Sequence, residues 1–236
     1  MIYAQIMAGG IGSRMGHTER PKQFLTLAEK PIIIHTLEKF SLIPDFEKII
    51  VSIHPKWVQF AKDLIANTIK DPRIVVIEGG AERNDTVMKA IQYISENCET
   101  TDEDVLVMHD AVRPFVTRRI IMDNINKSKD YAAVDTVVPA TDTIVQAKDD
   151  VIVNIPVRDE MYQGQTPQTI NILAFSKFYE QMSEEQRKTL SDSAKVMLLA
   201  GYKVGIVQGE ESNIKITRPY DLHISDIIAR ENLNVQ

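Results

Sequence analysis

The stretch best equipped for chemistry is Ala8-Gly9-Gly10-Ile11-Gly12-Ser13-Arg14-Met15-Gly16, followed closely by Pro21-Lys22-Gln23. Glycines at 9, 10, 12 and 16 let backbone amides approach a ligand and permit conformations closed to other residues. Such amides, with Arg14 and Lys22 beside them, suit a polyphosphate. An ordinary glycine-rich turn is the plainer reading, but a turn has no need of two nearby cations. Two familiar phosphate loops fail on spacing. The P-loop needs Gly-Lys-Ser/Thr, whereas His17 follows Gly16 and Lys22 arrives too late. The dinucleotide fingerprint needs a glycine where Met15 stands, and an acid where the second strand runs into Ser52-Ile53-His54.

Four further stations carry usable side chains. His109-Asp110-Ala111-Val112-Arg113-Pro114 places a carboxylate and a guanidinium just past an apolar run. Asp110 suits a magnesium ion, which often takes one or two carboxylates beside substrate phosphates; alternatively it pairs with Arg113 and shapes the turn. His109 reads as packed or hydrogen-bonded, because no second histidine has ligand spacing. Gly79-Gly80-Ala81-Glu82-Arg83-Asn84-Asp85-Thr86 opens a helix; Thr86 can serve a sugar or base, or it can cap the helix, as Asn84 is expected to do. Gln163-Gly164-Gln165-Thr166-Pro167-Gln168 reads as a polar loop, with Arg158 the nearest cation. Asn213-Ile214-Lys215-Ile216-Thr217 alternates, so a short strand at 214–216 points Lys215 into a site or onto the surface.

These stations need a scaffold, and periodicity supplies one. Strands are expected at Ile2–Met7, Lys48–Ile53, Arg73–Ile77 and Val105–His109. Between them, helical spacing covers Pro31–Phe40, Trp57–Ile69 and Asn84–Asn97. Nearly continuous apolar strands alternating with amphipathic helices predict a parallel sheet covered on both faces. Ligands bind beyond the carboxyl ends of such strands, which gathers the glycine loop, Gly80 and Asp110 at one edge.

The second half departs from that rhythm. A strand at 132–138 precedes a hairpin, Thr143–Gln146 with Val151–Ile155, turning at Lys148-Asp149-Asp150. We read an arm inserted at about 139–162 in a single domain spanning 1–236. Helices are expected at about 172–182 and 192–200, a strand at 203–207 and a last helix at about 219–231. Ser183-Glu184-Glu185 and Glu210-Glu211 read as solvated faces.

Composition narrows the class. At 236 residues with 44% apolar and 25% charged, the chain can bury a sizeable core. A net charge of −6 with scattered basic residues argues against nucleic-acid binding, so an anionic substrate needs a local cationic pocket. Cys98 is alone, excluding an internal disulfide. No run approaches the roughly 18 apolar residues of a membrane span, and no signal-peptide pattern opens the chain, so a cytoplasmic location is expected.

The chemistry these parts suggest is attack on a nucleoside triphosphate. No Ser/His/Asp or Cys/His set is arranged for covalent catalysis. A phosphate monoester nucleophile, with a second pKa near 6, needs no general base at neutral pH. What must be supplied is alignment of two anions and neutralisation of charge at the α-phosphate.

The five motifs, Ala-Gly-Gly-x-Gly-x-Arg-Met-Gly with Pro-Lys-Gln, Gly-Gly-x-x-Arg, His-Asp-x-x-Arg-Pro, Gln-Thr-Pro-Gln and Asn-Ile-Lys-x-Thr, resemble in kind and order the sugar-phosphate cytidylyltransferases. The resemblance covers essentially the whole chain. It implies a Rossmann-like, mostly parallel α/β sheet with a protruding hairpin, magnesium as cofactor, CTP and a polyol phosphate as substrates, and a homodimer formed through the arm. Two branches compete: one makes CDP-ribitol for teichoic-acid or capsule polymers, the other CDP-methylerythritol for isoprenoids. Met1–Ala4, Ala133–Val137 and Tyr162–Gln168 are more similar to the ribitol branch. By resemblance, Arg14, Lys22 and Lys215 are catalytic. Ala8, Gly9, Gly10, Gly12, Gly80, Thr86, Asp110 and Ala111 bind the nucleotide, Asp110 also holding the metal. Thr143, Arg158 and Thr166 contact the polyol phosphate, with Arg158 expected from the partner subunit. Ala81 stands where the methylerythritol branch often has an acid, and Ser191-Asp192 replaces a frequent Thr-Asp. The rivals are a non-catalytic nucleotide-binding protein on the same fold and a dehydrogenase.

Overall fold

In the computed structural model, which describes residues 1–10, 15, 20–190 and 192–233, strand and helix alternate through the first half. Strand β1 (Ile2–Ala8) precedes a small ribbon, β2 (Thr26–Leu27) with β3 (Lys30–Pro31), then α1 (Ile32–Ser41) and β4 (Lys48–Ile53). Next come α2 (Val58–Thr68), β5 (Ile74–Glu78), α3 (Arg83–Asn97) and β6 (Val105–Asp110). The second half holds α4 (Arg118–Lys127), β7 (Ala133–Pro139), the hairpin β8 (Gln146–Lys148) and β9 (Val151–Asn154), and β10 (Tyr162–Asn171). Helices α5 (Ile172–Gln181), α6 (Glu184–Thr189) and α7 (Ser193–Leu199) follow, then β11 (Val204–Gln208) and α8 (Pro219–Leu233).

Seven strands form one sheet in the order β11-β7-β10-β6-β1-β4-β5. Strand β10 runs antiparallel to both its neighbours, and the remaining pairs are parallel. Alternate strand residues feed two separate cores. Ala4, Ile6, Ile49, Val51 and Val107 pack toward α1, α2 and α4, whereas Tyr3, Ile50, Leu106 and Met108 pack toward α3, α5 and α7. In the first core, Phe40 is fully buried, with Phe46 stacked at 5.6 Å and the His109 ring at 5.2 Å. Truncating such a ring to alanine costs about 3–5 kcal/mol. A third cluster, Leu27, Ile32, Val112, Ile216 and Ala229, ties α8 to the loop after β6.

The structure corrects two of these expectations and adds a helix. The polar stretch 163–168 is not a loop but part of β10, wedged between β6 and β7. Its polar side chains find partners far away in sequence: Gln165 Nε2 donates to the Glu210 carbonyl at 2.8 Å and Thr166 bonds to His109. Such partners are invisible to local patterning. Helix α4 was not anticipated, although Ile120, Ile121 and Ile125 carry its period; Thr117 caps it by accepting from the Ile120 amide. Ser183 and Glu184-Glu185 are exposed, as a solvated face should be, and they open α6 through a capping box with Gln186. Residues 214–216 form no strand.

A hairpin is present as expected, but its first strand is Gln146–Lys148 instead of Thr143–Gln146. Pro139 pairs with Tyr162 at its base, and Asp149 and Asp150 turn its tip with φ of 50° and 61°, as a two-residue hairpin turn of that hand requires. Val151, Ile152 and Val153 on β9 are all more than half exposed.

Candidate active site

Strands β1, β5 and β6 end at one edge, as the strand-end rule requires. There a cavity of about 310 Å³ opens between Ala8-Gly9-Gly10 and Gly80–Arg83, with Lys22, Asp110 and Lys215 across it. A second cavity of about 230 Å³ lies beyond Asp110, lined by Arg113, Thr166, Gln168 and Asp192. Arg83, Asp110 and Lys215 border both. The two cavities therefore meet at a carboxylate held by cations. A third, of about 340 Å³ at the base of the hairpin, shares Lys215, Arg113 and Gln165.

Asp110 occupies the last position of β6 and is 5% exposed. Its Oδ1 accepts from Arg83 Nη1 at 3.0 Å, and its Oδ2 meets Lys215 Nζ at 2.9 Å and Arg113 Nε at 3.4 Å. Burial pushes this carboxyl up, but Arg83, Lys215 and Arg113 outweigh it and hold the group well below the usual carboxylate range. Asp110 is thus ionised at neutral pH. The expected pairing with Arg113 is present, yet it is the longest of three.

Behind Asp110 lies a fixed relay. Burial pushes His109 down to about 4, with the Arg113 and Arg83 charges adding to the effect, so the ring is neutral. Its Nε2 lies 3.0 Å from the Arg113 carbonyl, which can only accept, so that nitrogen carries the proton. Nδ1 then accepts from the Thr166 hydroxyl at 2.9 Å, and Thr166 Oγ1 in turn accepts from the Asp110 amide at 3.1 Å. His109 is a packed, hydrogen-bonded histidine, as its spacing implied.

Lys215 is positioned without a strand. Ile216 N–H donates to the Val112 carbonyl at 2.9 Å, and Arg113 Nη1 donates to the Asn213 carbonyl at 2.7 Å. Lys22 Nζ donates to the Ile216 carbonyl at 3.1 Å, which brings the two expected lysines to one wall.

On the opposite wall, Glu82 and Asp85 form the capping box of α3, so neither Asn84 nor Thr86 is its cap. Asn84 is fully buried and joins α3 to α7, donating to the Leu190 carbonyl and accepting from Ser193. Thr86 Oγ1 accepts from the Gly80 amide at 2.9 Å and donates to the Glu82 carbonyl at 3.0 Å, shaping the turn that lines the cavity. A Cβ on Gly80 would lie 2.5 Å from Asp85 Cβ, so only glycine fits against the first turn of α3. Gly9 and Gly10 differ from expectation: neither uses the left-handed region, and among the described residues nothing crowds either, so they contribute room and access.

Ala111 is fully buried; its amide bonds to Met7 and its carbonyl to Thr36, placing it behind the cavity wall. Gly12 and Arg14 lie outside the described residues. Thr143 is exposed on the arm, and Arg158, 58% exposed at the side chain, follows it with Asp159 at 3.9 Å. Neither lines any of the three cavities described above. Sequence reasoning gave no site role to Arg83, Gln168 or Asp192, although the motifs Gly-Gly-x-x-Arg, Gln-Thr-Pro-Gln and Ser191-Asp192 contain them.

Among the described residues no three His, Cys, Asp or Glu side chains group to hold a metal. Magnesium does not require that: an ionised Asp110 on both cavities fits an ion whose other ligands are water and substrate phosphates. Cys98 caps the far end of α3, roughly 22 Å along the helix from Arg83, and takes no part.

The chain matches the family 2-C-methyl-D-erythritol 4-phosphate cytidylyltransferase, IspD, over residues 2–231. It is 52% identical over 231 residues to the ribitol-5-phosphate cytidylyltransferase of Lactiplantibacillus plantarum, covering 98% of this chain and 99% of that one. Among solved structures, the 4-diphosphocytidyl-2C-methyl-D-erythritol synthase of Anaerococcus prevotii superposes with a TM-score of 0.80 at 25% identity, covering 97% and 96% of the two chains. The 2-C-methyl-D-erythritol 4-phosphate cytidylyltransferase of Francisella tularensis gives 0.78 at 30% identity, covering 96% and 98%.

Proposed function

Because the chain belongs to the IspD family of cytidylyltransferases, we propose that it transfers the cytidylyl group of CTP to D-ribitol 5-phosphate, giving CDP-ribitol and pyrophosphate. The observation that carries this reading is the meeting of two cavities across Asp110, Arg83 and Lys215, where cations surround a single carboxylate. The choice of ribitol over methylerythritol is supported by the likeness to the Lactiplantibacillus plantarum protein.

CTP occupies the 310 Å³ cavity, its base end at the Gly80 turn that Thr86 holds and its phosphates toward Ala8-Gly9-Gly10 and Lys22, with Gly12 and Arg14 assigned to the phosphates by family resemblance alone. The acceptor occupies the smaller one, near Thr166. A phosphate oxygen of the acceptor attacks the α-phosphorus; as that bond forms, the bond to the bridging oxygen breaks and pyrophosphate leaves with the electron pair. The acceptor phosphate is largely dianionic at neutral pH, so no base is needed. Lys22 and Lys215 neutralise charge that grows on the departing and equatorial oxygens. Lys215, 38% exposed, can move from Asp110 to the phosphates. Asp110 would hold magnesium, which supplies Lewis-acid neutralisation of phosphate oxygens.

The arm completes the site from a second copy, bringing Thr143 and Arg158 to the partner's acceptor cavity. Three exposed apolar residues on β9 support this dimer. Among the described residues no helix is long and apolar enough to cross a membrane. We place the enzyme in the cytoplasm, where CDP-ribitol would supply teichoic-acid or capsule assembly.

The test is pyrophosphate release from CTP and magnesium with ribitol 5-phosphate and methylerythritol 4-phosphate in parallel. Release with the first is expected. Faster release with the second overturns the acceptor, and release with neither despite CTP binding overturns the enzyme reading.

A further inference from the structure

Gln168 of β10 lies opposite Asp135 of β7, where the pairing of the two strands shifts register. Its side-chain amide has three partners. Nε2 donates to Asp135 Oδ1 at 3.0 Å and to Asp192 Oδ2 at 2.8 Å, and Oε1 accepts from Arg83 Nη2 at 3.4 Å. The amide cannot turn over, because carboxylates accept and a guanidinium only donates. Both its hydrogens are therefore engaged. What Gln168 and Asp192 present to the 230 Å³ cavity is lone pairs.

The same cavity has its cations, Arg83, Arg113 and Lys215, around Asp110. One end suits a phosphate and the other suits hydroxyl donors. Asp135 itself sits in a costly place. Burial pushes its carboxyl up to about 6, with the Asp192 charge adding to the rise against the Gln168 hydrogen bond. A carboxyl held against its own ionisation beside a reaction cavity is a functional candidate, and here the geometry says what it does.

Resting on the ribitol reading, we propose that Gln168 and Asp192 read the hydroxyls of the acceptor and that Asp135 is the positioning residue that holds the Gln168 amide. The row selects an unbranched polyol with adjacent hydroxyls over one presenting a methyl group. Methylerythritol 4-phosphate has one hydroxyl fewer and a methyl on a hydroxyl-bearing carbon, so it leaves an acceptor of the row unpaired, which costs affinity.

The test compares kcat/KM for ribitol 5-phosphate and methylerythritol 4-phosphate in the wild type, Asp135→Leu, Asp192→Ala and Asp135→Asn, with thermal unfolding as a fold control. The leucine and alanine variants should lose about tenfold or more with ribitol 5-phosphate, mainly in KM, and about threefold or less with the methyl-bearing acceptor. The KM for CTP should stay within about twofold. Asp135→Asn can still accept from Gln168 and should retain most of the preference. Variants that lose both acceptors in parallel, or neither, overturn the reading role and leave the ribitol assignment standing. A wild type that uses only methylerythritol 4-phosphate overturns the assignment and the inference resting on it.

Discussion

Arg83 Nη1 lies 3.0 Å from Asp110 Oδ1, joining the first turn of α3 to the end of β6 across both cavities. The arginine also reaches Gln168, so one guanidinium touches a strand end, a neighbouring strand and the space where the two substrates would meet. Lys215 completes the ring at 2.9 Å.

Arg83→Gln is expected to lower kcat/KM by about 10²-fold, the usual scale for losing one preorganised charge at a reacting phosphate. Asp110 would keep Lys215 and Arg113, so the unfolding midpoint should move little. Steady-state kinetics with calorimetric CTP titration would separate the cases; unchanged turnover would remove Arg83 from the site.

Lys22→Ala should reduce kcat by a similar factor with little loss of fold stability. Its ammonium donates to the Ile216 carbonyl, which remains on a segment also held by the Val112 carbonyl. A variant that unfolds, or one that turns over at the wild-type rate, contradicts the assignment.

Arg158→Ala should raise the KM for the acceptor more than that for CTP. If the arm acts across a dimer, mixing Arg158→Ala subunits with Lys22→Ala subunits restores about a quarter of wild-type activity, since half the dimers are mixed and each carries one intact site. Gel filtration and the mixing assay check this together. Mixtures as inactive as their components would return the arm to its own subunit.

Asp135→Asn should stabilise the fold above pH 6. The folded carboxyl titrates at about 6, above its ordinary value, so the folded state binds the proton more tightly than the unfolded chain does. The native protein therefore loses stability as pH rises from about 4 to about 6, by up to roughly 3 kcal/mol. Denaturant melts of both proteins at pH 4 and pH 8 measure the difference; an equal gap at the two pH values rules the effect out.

The alternating half of the fold was legible because its signal is local. Ile33, Ile34, Leu37 and Phe40 repeat at helical spacing, and Ile49 to Ile53 run apolar because both faces of that strand are covered. The strand-end rule likewise gathers the start of the glycine loop, Gly80 and Asp110 at one edge, and they line one cavity. Strand β10 was not legible. Its Gln165, Thr166 and Gln168 are buried because Glu210, His109, Asp135 and Asp192 satisfy them, and those partners lie 24 to 57 positions away.

By itself the sequence determined the glycine loop, the order of strands and helices in the first half, and the residue types from which a phosphate-transfer site is made. Spacing along a chain carries that information, because side-chain period and backbone freedom are properties of neighbours. Only the tertiary structure decided that Arg83 and Lys215 share one carboxylate, that an antiparallel strand enters the sheet, and that Gln168 turns its oxygen to Arg83. Those are settled by which donors and acceptors meet in the fold, and no local pattern records them.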